Sequence, residues 1–167
     1  MKSTRKLTIY ALLIAAALVL SYIESIIPTF FAVPGMKLGL TNIVIVVALY
    51  KLNWKSALLI NFARVILATA MFGNAASFAY SIGGAMLSLT VMIIVKRLGR
   101  FSIIAVSACG GIAHNLGQII VAMILLSTYQ VGYYMIVLWF TGVVTGLFIG
   151  IISGLIVERL PDVRVDS

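Results

Sequence analysis

Apolar residues run almost unbroken along this chain, and short polar clusters separate the runs. A helix needs roughly 20 apolar residues to cross a bilayer's hydrocarbon core. The pattern predicts six helices, over about 7–27, 38–50, 56–72, 78–95, 102–127 and 133–157. The second is short: residues 38–50 would cover only about 20 Å. Pro28, Pro34 and Gly35 precede it and break any continuous helix. An irregular or re-entrant segment over residues 28–37 is therefore expected, feeding a helix that begins below the membrane surface. Non-helical backbone at that depth survives only when buried in protein or lining a cavity. Residues 28–42 are thus the first place to look for a site.

Composition sharpens this picture. The chain has 167 residues, 63% hydrophobic and only 10% charged. Soluble domains carry about 25% charged residues, so an ordinary soluble enzyme is excluded. The expectation is one all-α, polytopic membrane domain over residues 1–167. The net charge of +8 could signal a polyanion partner, and its distribution decides the matter. Lys2, Arg5, Lys6, Lys51, Lys55, Lys96, Arg97, Arg100, Arg159 and Arg164 all fall on one side of a six-helix topology. The positive-inside rule then places both termini in the cytoplasm, in a multi-pass protein of the cell membrane. No nucleic-acid partner is expected, because no basic block is interleaved with aromatics. The first helix follows basic residues as a signal peptide would, but its apolar run is long and is read as retained. Cys109 stands alone, so no disulfide forms within the chain.

Polar groups inside membrane helices are costly and turn toward the protein interior or a cavity. Glu24 lies near the outer end of the first helix, and Lys37 and Asn42 flank the start of the second. Asn61 and Arg64 are three apart and share a face of the third. His114, Asn115 and Gln118 cluster on the fifth, with His114 and Gln118 sharing a face. Asn74 and Ser77 lie in the loop before the fourth helix, and Tyr80 follows in its first turn. The set concentrates in the outer half, which predicts an outward-opening pocket lined by Glu24, Lys37, Asn42, Arg64, Asn74, Tyr80, His114 and Gln118. Two basic members and the positive end of the second helix favour an anionic ligand. A lone His offers no zinc site, and neither metal nor cofactor is expected.

Gly142, Gly146, Gly150 and Gly154 line one face of the last helix, where another backbone can approach closely, within this chain or on another protein. Ala11 and Ala15 have the same spacing on the first. Missing chemistry narrows function too. There is no phosphate-binding loop for ATP. Acids stand only at 24, 158, 162 and 166, so the paired carboxylates that hold Mg²⁺ against a prenyl diphosphate have no place here. The chain is not expected to be an enzyme.

The segment Pro34-Gly35-Met36-Lys37-Leu38-Gly39-Leu40-Thr41-Asn42-Ile43 resembles the Pro-Gly-x-Lys-Leu-Gly-x-x-Asn signature of the Gx transporter family, whose members are often labelled heptaprenyl diphosphate synthase component I. That family is similar to the substrate-binding S-components of energy-coupling-factor (ECF) vitamin transporters. The resemblance implies six helices, a substrate site near the outer face, and an Ala-x-x-x-Ala motif that docks a membrane coupling subunit carrying two ATPases. Ala11 and Ala15 match that motif, although position 19 is Val. The expected function is an importer's S-component for a small vitamin-like or anionic precursor. The alternative is a non-catalytic membrane component of heptaprenyl diphosphate or quinone biosynthesis.

Overall fold

The computed structural model describes residues 2–26 and 37–161, and residues 28–36 of the expected irregular segment lie outside them. The described residues form α1 (Lys2–Ile26), α2 (Asn42–Lys51), α3 (Trp54–Phe72), α4 (Ala75–Arg97), α5 (Ile103–Leu125) and α6 (Met135–Arg159), with a 3-10 helix over Tyr129–Tyr134 before α6. Five stretches are long and apolar enough to cross a membrane: Thr4–Ile26, Trp54–Phe72, Ala75–Arg97, Ile103–Leu125 and Tyr129–Arg159. The chain is a polytopic, all-helical membrane protein. The short second helix is shorter still than its apolar run, because residues 38–41 form a turn instead. Its 10 residues rise about 15 Å, roughly half the hydrocarbon thickness.

Polar caps fix several boundaries that hydropathy places late. The side chains of Asn53 and Asn74 accept from Ser56 N and Ser77 N, each at 2.8 Å. Each satisfies a backbone N–H that the first helical turn leaves open. So α3 and α4 begin at Trp54 and Ala75, ahead of their apolar runs. Ser102 caps α5 in the same way, 3.2 Å from Ala105 N.

The short α2 survives because it is central. Seven of its ten residues are buried, and it touches α1, α3, α5 and α6. An all-round apolar helix fits that position. Its last turn is closed by α4, where Lys96 Nζ donates to Leu49 O at 2.6 Å and lies 4.4 Å from the centre of the Tyr50 ring. A cation there complements the negative end of the helix. The hydroxyls of Tyr10 and Ser56 are hydrogen-bonded, tying α1 to the start of α3.

Helix α5 packs most extensively, against α4 on one side and α6 on the other. Both contacts run along glycines. A Cβ on Gly146 would lie 2.7 Å from Ala108 Cα, and one on Gly150 equally close to Ile104 Cα. One on Gly117 would lie 2.5 Å from Gly83 O on α4. The α6 stripe thus packs within the chain through Gly142, Gly146 and Gly150, while a Cβ on Gly154 would meet nothing within 4 Å. Helix α1 turns a different stripe inward: Ala17, Ser21 and Glu24 are buried, whereas Ala11 and Ala15 are exposed on the far side.

Candidate functional site

The site is assembled at the N-terminal end of α2. Gly39 adopts φ +85, a conformation that strains any residue with a Cβ. That turn lets Asn42 N reach Gly39 O at 2.9 Å and Ile43 N reach Leu40 O at 3.1 Å. Glu24 Oε1 on α1 accepts from Gly39 N and, at 3.3 Å, from Leu40 N. The carboxylate thereby sits on N–H groups of the turn that leads into the positive end of the short helix.

Arg64 approaches from α3 and is only 3% exposed. Its Nη1 donates to Thr41 Oγ1 at 2.6 Å and its Nε to Asn61 Oδ1 at 3.0 Å. Asn61 Nδ2 in turn donates to Ala85 O on α4 at 3.1 Å. Arg64 Nη2 is buried without a hydrogen-bond partner, as is Ser81 Oγ, one turn from Ala85 toward the α4 start.

The opposite wall is α5. Gln118 Oε1 accepts from Lys37 N at 3.3 Å, and Gln118 Nε2 lies 3.0 Å from His114 Nε2. The amide nitrogen is a donor, so His114 Nε2 must accept. On this assignment from the network, the imidazole is neutral and carries its proton on Nδ1. Nδ1 is buried and makes no hydrogen bond of good geometry. Gly84 permits this packing: a Cβ there would lie 2.9 Å from His114 O and 3.0 Å from Gln118 Cγ.

The structure therefore gathers Glu24, Lys37, Asn42, Arg64, His114 and Gln118 around one end of α2. It places the other two expected residues elsewhere. Asn74 is exposed and its side chain caps α4. Tyr80 packs with Ile119, Ala122, Val131 and Leu138 in a separate apolar cluster. Asn115 also turns away, donating to Leu138 O on α6 at 2.7 Å. Thr41, which accepts from Arg64, belongs to the cluster but was not among the expected site residues, and neither was Ser81, buried one turn from Ala85 on α4. The spacing of Ser77, Ser81, Gly84 and Ser88, all buried on α4, follows one helix face and was the legible signal for Ser81.

Burial lowers the Lys37 pKa; the nearby Glu24 opposes this and Arg64 adds to it. Lys37 therefore loses its proton below the ordinary lysine range, and an anion bound beside it would favour the protonated form. If the cluster holds an anion, its affinity should fall as pH rises through the depressed Lys37 pKa. A Lys37→Met variant should bind more weakly and lose that alkaline fall. Titrating binding against pH in both proteins checks this, and an unchanged alkaline limb in Lys37→Met refutes it.

A model of the family described as heptaprenyl diphosphate synthase component I matches residues 13–156. Comparison with curated proteins gave no match, and comparison with solved structures gave none either. The matched region contains every residue of the cluster and the glycine contacts of α5 and α6. It includes Ala15 but not Ala11.

Proposed function

The chain belongs to the heptaprenyl diphosphate synthase component I family, and on that premise we propose that it is a non-catalytic membrane subunit that holds an anionic small molecule and acts with a partner protein. The observation that carries the ligand is Arg64 Nη2, a buried donor without an acceptor in a cluster of two basic residues and one acid. Leaving such a donor unpaired costs about 1–3 kcal/mol, more for a charged group. A ligand oxyanion would recover that cost. The partner follows from the family's description as one component of a synthase. Prenyl condensation needs carboxylates to hold Mg²⁺, and the cluster's one acid, Glu24, already accepts two backbone N–H groups. The condensation would then belong to the partner. The basic loops support cytoplasmic termini in the cell membrane, which turns the cluster toward the outer half.

A second reading, the S-component of an ECF-type importer, is favoured by α1. Ala11 and Ala15 are exposed opposite the Ala17–Ser21–Glu24 stripe, leaving a small-residue face for a coupling subunit with two ATPases. Affinity purification from the native membrane, with mass spectrometry of proteins and small molecules, separates the readings. The first expects an Asp-rich synthase to co-purify. An ATPase-containing complex lost in Ala11→Trp/Ala15→Trp selects the second. A chain that carries neither partner nor small molecule refutes both.

A further inference from the structure

The charges and unpaired groups of the cluster narrow its ligand, an inference that rests on reading the cluster as a ligand site. Arg64 and Lys37 are the cluster's two cationic side chains, and Glu24 is its one acid, with two backbone N–H groups donating to Oε1 and favouring the carboxylate. His114 is neutral by the hydrogen-bond argument above. With these three groups ionised the resident charge is +1. A phosphate monoester already carries about −1.5 to −2 at neutral pH, and a diphosphate carries more. Taken into a buried site, the excess would stand uncompensated, which is strongly unfavourable.

The unpaired groups agree. Arg64 Nη2 and His114 Nδ1 are buried and, on the tautomer assigned above, both are N–H donors. Ser81 Oγ, the third unpartnered atom in this part of the fold, can donate as well. Such a set accepts no proton donor in preference to an oxygen acceptor. Two of the three guanidinium nitrogens of Arg64 donate to Thr41 and Asn61, and Nη2 is left for a carboxylate oxygen.

We infer that the ligand presents one singly charged, planar oxyanion, a carboxylate, and no diphosphate. In the synthase reading this makes the subunit a sensor or carrier of a monoanion beside the reaction, with the diphosphate held on the partner.

The test uses the full chain in lipid nanodiscs and follows its thermal unfolding with acetate, butyrate, benzoate, benzamide or inorganic pyrophosphate. At least one monocarboxylate should raise the midpoint, whereas benzamide and pyrophosphate should not. Glu24→Gln keeps an acceptor for Gly39 and Leu40 while adding one positive charge, and should let pyrophosphate protect as well. Lys37→Gln, bringing the charge near zero, should weaken the protecting carboxylate about tenfold. Protection of the unaltered chain by pyrophosphate in preference to every carboxylate would overturn the monoanion and leave the anion site standing. Protection by none of the anions would overturn both.

Discussion

Gly111→Ala is expected to destabilise the bundle by about 2–3 kcal/mol, at the upper end of what overpacking a single methyl costs. A Cβ at Gly111 would lie 2.3 Å from Gly142 O and 3.1 Å from Gly146 Cα. Both are backbone atoms, so no rotamer change relieves the clash and α6 must move away from α5. That movement matters more in a bilayer than in water. Helix association there draws on close packing and interhelical hydrogen bonds, since lipid tails are as apolar as the side chains they replace. Separation would also stretch the bond from Asn115 Nδ2 to Leu138 O, now 2.7 Å. Gly154→Ala is the internal control, because it lies on the same α6 stripe with nothing within 4 Å. It should cost no stability and gain up to about 1 kcal/mol, because Ala favours a helix over Gly. Unfolding of both variants in detergent micelles decides the matter. Equal losses would mean that the cost does not arise from the α5–α6 approach, since helix propensity alone favours Ala over Gly at both positions.

The glycine stripe was legible because helix geometry sets its period, and its partner was not, since period carries no information about the neighbour. The same distinction runs through the site. Lys37, Arg64 and His114 stood out because an ionisable group in an apolar run is expensive. Arg64's acceptors, Thr41 and Asn61, lie 23 and 3 residues away, and only the nearer one could be read from helical spacing. Helix α4 shows why direction is harder to infer than burial. It packs against α3 and α5 at once, so Tyr80 and Ser81 are adjacent and both buried, yet Tyr80 joins an apolar cluster that Ser81 does not. Hydropathy also placed the starts of α3 and α4 late, because a capping Asn is polar although the helix begins directly after it. The helix count, by contrast, was legible from hydropathy, with five stretches long and apolar enough to cross a membrane and α2 the short sixth helix. Apolar runs depend on sequence alone and need no knowledge of packing.

Arg64→Leu is expected to lower ligand affinity about 100-fold, the equivalent of roughly 3 kcal/mol for a charged hydrogen bond lost in a buried site. It should also destabilise the chain, because three partners lose their cation. Thr41 Oγ1 and Asn61 Oδ1 lose a donor. Glu24, whose charge acts on Arg64, keeps only Lys37 and two backbone N–H groups. Leaving the buried Thr41 and Asn61 oxygens without their donor costs about 1–3 kcal/mol each, so lost binding alone would be ambiguous between a missing ligand contact and a loosened fold. Arg64→Leu with Glu24→Gln resolves this. Removing the stranded carboxylate charge should restore much of the thermal midpoint without restoring affinity for the protecting carboxylate. Arg64→Lys gives the complementary result: the positive charge remains beside Glu24, so stability is largely kept. A lysine cannot serve Thr41, Asn61 and a ligand together through a planar fork, so affinity should still fall at least tenfold. Were the double variant to regain both stability and binding, Arg64 would be a structural link between α2, α3 and α1, and the anion would have to sit elsewhere. Stability restored with binding still absent is the result that only a ligand contact at Arg64 Nη2 produces.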